Sequence, residues 1–449
     1  MKKQNSLFAR KPAKSPKSKA SMDYPETLEI IGLSHEARGI AKHNGKTIFV
    51  TGALTGETVR YEISKKHRRF DEAECVEVIT PSPNRVEPFC QYYGQCGGCD
   101  LQHLEHSEQI KAKESLVLDQ LQRLGKFNPE STTPPLSGSD QEYRRSCRIG
   151  INQLMRDGTP IIGFRRRGSS KLLQVDNCPI LINPINKILG KLKAVLSEAD
   201  SCKEITHAEL SMGDQQGAMT LRIKKPLPES LSSSLQKLAE DNEFRLYFDN
   251  GQQINAFGDE ADLSYQLEKS ETQIGFKPGD FIQVNASVNT QMINRAMDWL
   301  DLKDNDRVLD LFSGVGNFSL PLATKAGSVI GVEGVEDMVQ RAQNNAKQAG
   351  LNNCEFYRAD LSKDLKALPW YKQGFSKILI DPPRTGALEV IKQLEQHQCD
   401  QILYVSCNPS ALARDGAELI RQGYKASKFC VMDMFPHTSH VESLVLFEK

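Results

Sequence analysis

Cys407 is the residue of this sequence best placed for covalent chemistry. It lies in the run Ser406-Cys407-Asn408-Pro409, directly after a strand-like segment at 401–406. Most cysteines act as small buried hydrophobic residues, but ligands of open α/β sheets bind at the carboxyl ends of the strands. The position of Cys407 therefore predicts a nucleophile. Because a free thiol with a pKa near ~8.5 is mostly protonated at neutral pH, its surroundings should favour the thiolate.

A covalent reaction of this kind also needs a proton acceptor, and the end of the chain offers three. Glu442 closes the run His437-Thr438-Ser439-His440-Val441-Glu442, just before a last strand at 443–447. We predict Glu442 as the general base. His437 and His440 are the alternatives, because a histidine can take up a proton near neutral pH.

A glycine-containing loop indicates a nucleotide-like cofactor. The run Ser313–Phe318 matches the GxGxxG pattern only in part, because Ser319 occupies the third glycine position. Glu333 ends the next strand, where a carboxylate would bind two ribose hydroxyls, and Asp360 ends the third strand, where it would meet an adenine edge. Asp310 precedes the glycines, and a carboxylate there repels a pyrophosphate but suits a cationic sulfonium. S-adenosylmethionine is therefore favoured over a dinucleotide such as NAD.

The loop Asp381-Pro382-Pro383-Arg384 follows the fourth strand, and its two prolines stiffen a wall of the pocket. Methyltransferases that act on exocyclic amines usually close the corresponding run with an aromatic residue that stacks on the base. Arg384 stands in that position here. Methylation of an exocyclic amine is therefore disfavoured.

These residues must be held by regular elements, and the chain from about Arg307 alternates between strand-like and helical segments. The strand-like segments lie at 308–312, 328–333, 353–359, 377–381 and 401–406. The clearest helix spans 335–349. This pattern predicts a parallel, doubly wound sheet with its ligand at the carboxyl ends of the strands. Upstream, helices are expected at 104–124 and 184–198, in a central region of mixed α/β character.

The first part of the chain has a different pattern. Short alternating runs at 28–33, 46–50, 57–63 and 73–79, separated by glycine turns, predict a small β-barrel of the OB type. Such barrels commonly bind single-stranded nucleic acid. The whole chain is predicted to have four parts: a basic, disordered tail at 1–21, the barrel at 22–80, a central α/β domain at 81–276 and a Rossmann-like domain at 277–449.

Composition sets the class of partner. The 449 residues carry no net charge, but basic residues cluster before Ser21 and at 65–69, 144–148 and 165–167. Each cluster alone is more often a solvated surface, whereas together they favour RNA binding. Without a run of eighteen apolar residues or a secretory signal, a cytoplasmic location is expected, and no disulfides are expected there. Nothing indicates a membrane or an obligate protein partner, so we expect a monomer.

Taken together, the runs Asp381–Arg384, Ser406–Pro409 and His437–Glu442 resemble, in order and spacing, the signatures of the uracil-C5 RNA methyltransferase family. The resemblance extends over nearly the whole chain after the tail. It implies Cys407 as the nucleophile that adds to C6 of a uracil, and Glu442 as the base that removes the C5 proton. It also implies a set of contacts to S-adenosylmethionine: Gln283, Phe312, Asn317, Glu333, Asp360 and Asp381.

Two further modules refine the resemblance. Residues 22–80 look like a TRAM domain, which implies RNA binding through an OB-type barrel. Cys90, Cys96 and Cys99, with Cys178 further along, look like the ligand set of the family's [4Fe-4S] cluster. From the residues alone, four thiolates would suit zinc equally well. Both modules point to the branch that acts on 23S ribosomal RNA. The same chemistry on another site of ribosomal RNA or on transfer RNA, and a non-catalytic RNA-binding or assembly role, remain as alternatives.

Overall fold

The computed structural model describes residues 24–154, 156–198, 202–397 and 399–449, so the predicted tail at 1–21 lies outside the described residues. The chain divides into two compact units. Among the described residues, the first unit contains 24–32 and 38–82, and the second contains 33–37 and those from 83 onwards. Within the described ranges, no helix is both long and apolar enough to cross a membrane.

The first unit is a six-stranded sheet. Its strands are β1 (Thr27–Glu29), β2 (Gly32–Leu33), β3 (Gly39–His43), β4 (Lys46–Thr51), β5 (Thr58–Lys66) and β6 (Phe70–Thr80). Their order is β1-β5-β6-β4-β3-β2, with β4 parallel to β6 and the pairs β1/β5, β5/β6 and β3/β4 antiparallel. Alternate residues of a strand point to one side, and Ile48 and Val50 thereby enter the buried core with Val59.

The second unit begins with the cysteine-containing segment and continues through two sheets. Its first elements are α1 (His106–Gln120), β7 (Ser131–Thr132), β8 (Ser146–Gln153), β9 (Pro160–Arg165), β10 (Leu172–Gln174), α2 (Asn183–Ser197), β11 (Ile205–Met212), β12 (Gly217–Ile223), α3 (Glu229–Glu240), β13 (Phe244–Asp249), β14 (Ile254–Ala256), β15 (Ser264–Leu267) and β16 (Thr272–Gly275). One sheet has the order β10-β9-β8-β11-β12-β13-β14, and β15 pairs with β16. Helix α2 forms as predicted, because Ile185, Leu189, Leu192 and Leu196 recur on one buried face.

The rest of the second unit carries the large sheet. Its elements are α4 (Ala286–Leu300), β17 (Arg307–Leu311), α5 (Ser319–Ala323), β18 (Ser328–Glu333), α6 (Glu336–Gln348), β19 (Cys354–Arg358), β20 (Lys377–Ile380), α7 (Leu388–Leu394), β21 (Gln401–Ser406), α8 (Pro409–Arg421), β22 (Lys425–Met432) and β23 (Glu442–Glu448). The eight strands have the order β19-β18-β17-β20-β21-β23-β22-β7.

The expectation of a parallel sheet needs correction. The strands β17 to β21 are mutually parallel, but β23 is antiparallel to both β21 and β22. The short strand β7 then extends the sheet beside β22. The antiparallel insertion brings the start of β23 to the edge of the sheet where β21 ends. That edge is where the parallel strands present their carboxyl ends.

Helix α1 is shorter than predicted. It ends at Gln120, and a π-helical turn at Leu121–Gly125 leads to Lys126 in the left-handed region, with φ 58°. Gly125 allows this turn to approach α8, because a Cβ atom on it would lie 2.7 Å from the carbonyl oxygen of Ala413. The close approach anchors α1 beside the large sheet.

Candidate active site

Cys407 and Glu442 lie on neighbouring antiparallel strands at the same edge of the large sheet. The last backbone pair between β21 and β23 joins Ser406 to Ser443. Cys407 follows that pair on one strand, and Glu442 precedes it on the other. Both residues are half-buried. The antiparallel insertion of β23 therefore brings the predicted nucleophile and the predicted base together.

Carboxyl groups dominate the electrostatics around this pair. Burial raises the pKa of the Glu442 carboxyl to about 8; the charge of Asp381 adds to this shift and Arg384 opposes it. Burial, followed by the charges of Glu442 and Asp381, raises the pKa of the Cys407 thiol to about 11, against the lowering effect of Arg384. Burial also raises the pKa of Asp381 to about 7. The expectation that these surroundings favour the Cys407 thiolate is therefore wrong, so the thiol needs an acceptor for its proton.

The loops around Cys407 are tied to one another through Asn408. Its side-chain oxygen accepts a hydrogen bond from the backbone N–H of Ser410 (3.1 Å) and so caps α8, which has Pro409 in its first turn. Its side-chain amide donates to the carbonyl oxygen of Arg384 (2.9 Å). Asn408 thus fixes the strand end that bears Cys407 against the loop 381–384.

The two histidines considered as alternative bases have different surroundings. His437 is buried and adopts a φ of 64°. Its backbone N–H donates to Gln109 Oε1 (2.9 Å), and its Nδ1 lies 3.1 Å from Gln109 Nε2. His440 is exposed, with Nδ1 3.3 Å from Nη2 of Arg384. Desolvation is the first cause that lowers the pKa of both rings, since even the exposed His440 has the ring of Phe435 beside it, with 5.6 Å between ring centres. These contacts favour a structural role for His437.

Three of the predicted donor contacts line one cleft. Phe312, Glu333 and Asp360 border a cavity of about 930 Å³, which is also lined by Pro383 and by residues 385–390. Glu333 is oriented by backbone donors, because Oε1 accepts from the N–H groups of Gly334 (2.8 Å) and Val335 (3.0 Å). A carboxylate held in this way retains acceptor capacity for two adjacent ribose hydroxyls.

The remaining predicted donor contacts lie outside the lining of this cleft. The amide of Asn317 is engaged with two neighbours, since Oδ1 accepts from the Tyr265 hydroxyl (2.8 Å) and Nδ2 donates to Asn289 Oδ1 (3.0 Å). The carbonyl oxygen of Gln283 accepts from Arg145 Nε (2.9 Å). Asp381 lies close enough to Cys407 and Glu442 for its charge to raise the pKa of both groups, and it acts on Asp310 in the same way.

Arg145 belongs to one of the basic clusters that the sequence predicts as RNA-binding. Its side chain is instead buried, and its guanidinium lies 4.3 Å from the ring centre of Tyr265. Arg145 therefore contacts one predicted donor residue, Gln283, directly, and it contacts Tyr265, which donates a hydrogen bond to another, Asn317. Gln109 was also missed by sequence reasoning, because a glutamine inside a helix has no motif that marks it.

The four cysteines proposed as ligands are brought to one place. Cys90, Cys96, Cys99 and Cys178 line a cavity of about 280 Å³ that is bounded by mainly apolar side chains. All eleven cysteines of the chain are free thiols. Burial is the first cause that raises the pKa of Cys99 to about 12 and that of Cys178 to about 11. Within the described residues, no three Cys, His, Asp or Glu side chains are arranged closely enough for a single metal ion.

Comparison with known proteins identifies the family. A family model described as tRNA (Uracil-5-)-methyltransferase matches residues 139–449, which is more than half of the chain. The chain belongs to this family. A TRAM domain model matches residues 26–76, all of which except 33–37 belong to the first unit. The predicted TRAM domain is therefore confirmed.

Other members of the tRNA (uracil-5-)-methyltransferase family match almost end to end. A protein of Alkalilimnicola ehrlichii, named 23S rRNA (uracil(1939)-C(5))-methyltransferase RlmD, is 41% identical over 95% of this chain and 97% of its own length. A Hahella chejuensis protein with the same name is 42% identical over 94% and 97%. The crystal structure of Pyrococcus abyssi tRNA (uracil-54, C5)-methyltransferase in complex with S-adenosyl-L-homocysteine has a TM-score of 0.72 at 22% identity, over 94% of this chain and 100% of that one. The fold is shared.

Proposed function

We propose that this chain transfers the methyl group of S-adenosylmethionine to C5 of uracil 1939 in 23S ribosomal RNA. The observation that carries the chemistry is the position of Cys407 and Glu442 next to the last residue pair of β21 and β23, within reach of the charge of Asp381. The choice of ribosomal RNA is supported by relatives about 41% identical over 95% of the chain, which carry that name. The first unit would act as an OB-type RNA-binding barrel, and the protein would work as a monomer in the cytoplasm.

The reaction begins at Cys407. Its proton passes to the neighbouring carboxylate of Asp381, and the thiolate adds to C6 of the uracil, so that the C5–C6 electron pair moves towards C4 and its oxygen as an enolate. The electron-rich C5 can then take an electrophilic methyl group, which the sulfonium donor supplies when bound. Arg384, whose charge lowers the pKa of Cys407, supports the thiolate at this stage.

The reaction ends at Glu442. After methyl transfer, C5 carries both the new methyl group and its original proton. Glu442 removes that proton as a carboxylate, and the electron pair re-forms the C5–C6 double bond while the Cys407 sulfur leaves from C6. The half-buried setting that raises the pKa of Glu442 to about 8 also makes it a stronger base than an exposed glutamate.

The cleft beside Glu333 has the donor chemistry that a nucleoside needs. We assign the ribose hydroxyls to Glu333, the adenine edge to Asp360 and an apolar contact to Phe312. Gln283, Asn317 and Asp381 complete the proposed donor set. Asp381 is also suited to read polar atoms of the uracil ring, because its charge reaches both Cys407 and Glu442.

The four cysteines fit a [4Fe-4S] cluster. Four thiolates on one zinc ion converge on a single point at about 2.3 Å, whereas the thiolates of a cluster bind four separate corners. A cavity of about 280 Å³ with the four cysteines in its walls supports the second arrangement. Anaerobically purified protein should therefore be brown, with four iron atoms and four labile sulfides per chain. A colourless protein that contains one zinc ion would overturn this assignment.

Mass mapping of ribosomal RNA tests the substrate. RNA from cells that lack the protein should have lost one methyl group at uracil 1939, and the purified protein should restore it in vitro. Transfer RNA treated in the same way is the comparison, because the family description names that substrate. Methylation of transfer RNA alone would move the assignment to the other branch, and methylation of neither RNA would leave a binding role.

A further inference from the structure

The loop 433–441 connects β22 to β23 and leads directly into Glu442. We name it the base loop. Most of it is buried, and it is held by two other parts of the chain. One is the cysteine segment, defined as residues 90–104, and the other is α1. Both lie far from the base loop in sequence, so their contacts with it are purely tertiary.

The cysteine segment binds the base loop through backbone and side chain. The N–H groups of Asp100 and Leu101 both donate to the carbonyl oxygen of His437, at 2.8 and 2.9 Å. In return, the N–H and hydroxyl of Ser439 donate to Asp100 Oδ2, at 3.3 and 3.2 Å. Asp100 directly follows the candidate ligand Cys99. Asp100 therefore links the position of Cys99 to the conformation of the base loop.

A second link runs through Gln109 of α1. Its Nε2 donates to the carbonyl oxygens of Leu101 (3.1 Å) and Leu104 (2.8 Å), and its Oε1 accepts from the N–H of His437. The left-handed backbone of His437 is costly for a residue other than glycine and persists only where its surroundings enforce it. Gln109 thus joins the cysteine segment to the strained point of the base loop.

The start of the base loop is fixed by buried charges. Lys113 Nζ donates to Asp433 Oδ1 (2.6 Å) and to the carbonyl oxygen of Phe435 (3.0 Å), and His106 Nε2 lies 2.7 Å from Asp433 Oδ2. Lys113 and Asp433 are buried. The start of the base loop is therefore fixed to α1. The position of its second half depends on the contacts with Asp100.

We propose that Asp100 is a positioning residue for Glu442, through which the group held by the four cysteines controls proton removal from C5. This inference rests on the proposed function, since it takes Glu442 as the base and the cysteines as ligands. Cys407 is set by different contacts, namely those of Asn408 with Arg384 and α8. Replacing Asp100 should therefore slow proton removal and release of the product, and leave thiolate addition and methyl transfer unchanged.

Two RNA substrates separate the beginning of the reaction, addition and methyl transfer, from its end, proton removal and release. RNA with 5-fluorouracil at the target has no C5 proton, so its reaction stops at the methylated adduct and reports only addition and methyl transfer. RNA with uracil reports complete turnover. Asp100→Ala in the full-length holoprotein should keep the rate of fluorouracil adduct formation within about twofold. Its turnover on uracil should fall about 10- to 100-fold, the range expected for a misplaced rather than missing base.

Deuterium exchange provides a readout that is independent of activity. In Asp100→Ala the peptide that contains Ser439 should exchange at least about tenfold faster, because its N–H has lost the acceptor. Ser439→Ala, which removes a single hydroxyl, should shift both measurements in the same direction by less. Glu87→Ala, an exposed acid just before the cysteine segment, is the matched control and should change neither. Removing the cysteine-bound group from wild-type protein with a chelator should likewise slow turnover on uracil RNA and leave the rate of fluorouracil adduct formation unchanged.

Two outcomes overturn the inference. Equal losses on both RNAs would mean general loosening, and unchanged turnover would mean that Asp100 does not position the base. Failure of the proposed function looks different, because wild-type protein would then form no fluorouracil adduct on Cys407.

Discussion

Ser319 donates its hydroxyl hydrogen to Oδ2 of Asp310, a fully buried carboxyl group at the end of β17. The serine occupies the position of the third glycine in a GxGxxG loop, so the departure from that pattern supplies a hydrogen bond. The other carboxyl oxygen, Oδ1, has no hydrogen-bond partner among the described residues. Burial raises the pKa of Asp310 to about 7, and the Ser319 hydroxyl works against that rise.

Ser319→Ala should therefore destabilise the protein most at high pH. An acid whose pKa is raised on folding stabilises the fold below its unfolded pKa near ~3.9, and this contribution is lost as pH rises through about 7. Removing the hydroxyl raises the pKa further and leaves the buried carboxylate unsatisfied. The free energy of unfolding in urea should fall by about 1–3 kcal/mol at pH 8, and by less at pH 5. Ser234→Ala, at an exposed helical serine, should show no such pH dependence.

Cys407→Ala should abolish methyl transfer and leave RNA affinity within about threefold. The thiol makes the covalent bond to the base but supplies little of the binding surface, which is dominated by phosphate contacts. Filter binding and single-turnover methylation on the same RNA measure the two quantities. Cys430→Ala, at a buried cysteine of β22 outside the site, is the matched control for the loss of a thiol. Residual transfer near the wild-type rate would remove the nucleophile assignment.

Glu442→Gln should trap the methylated RNA on the protein as a band that survives a denaturing gel. Glutamine fills the same space but cannot accept the C5 proton, so addition and methyl transfer proceed while release stops. Turnover should fall by about 10²–10⁴-fold. His440→Gln, two residues earlier, should reduce turnover less than tenfold, because His440 lies beside Arg384 and not at the start of β23, where Glu442 lies.

The pH profile gives a second check on Glu442. Only its carboxylate form removes a proton, so release of product in the wild type should speed up as pH rises through about 8, the pKa of Glu442. Single-turnover release measured from pre-formed adduct isolates this step from thiolate formation. A profile with its midpoint near pH 6 would instead point to a histidine.

Glu333→Gln should weaken binding of the methyl donor by about 10- to 100-fold, because a charged acceptor for two hydroxyls contributes about 1.5–3 kcal/mol. Calorimetric titration with S-adenosylhomocysteine measures the change without catalysis. Glu336→Gln, an exposed acid in the first turn of α6, is the matched control. Equal affinity in Glu333→Gln and wild type would place the ribose elsewhere.

The sequence predicted the strands β17 to β21 because buried parallel strands appear as short apolar runs, and acids at their ends mark the ligand edge. It could not give the direction of β23, since an apolar run is the same for a parallel and an antiparallel strand. Cys407 was predictable from the sequence, because a cysteine directly after the end of a central strand is unusual. The contacts that hold the base loop were not predictable, because Gln109 and His437 are 328 positions apart. Burial of Cys407 among carboxyl groups is likewise a tertiary property.

The buried ion pair between Lys113 and Asp433 yields the last prediction. Burial opposes ionisation of Asp433, but His106 and Lys113 together hold its pKa below the usual value. Lys113→Met leaves that carboxylate without its main cation, at a cost of about 3–5 kcal/mol in the free energy of unfolding. Adding Asp433→Asn should recover part of the loss, which a double-mutant cycle in urea would measure.

His106 makes this prediction dependent on pH. Its own pKa is raised, first by the hydrogen bond with Asp433, so the protonated ring can still neutralise the carboxylate at pH 6 and does so less at pH 8. The loss of unfolding free energy in Lys113→Met should therefore be smaller at pH 6 than at pH 8. Lys111→Met, which removes an exposed lysine paired with Glu108 in the same helix, should cost less than about 1 kcal/mol at either pH. A loss of less than about 1 kcal/mol in Lys113→Met as well would show that the pair of Lys113 and Asp433 does not fix the start of the base loop.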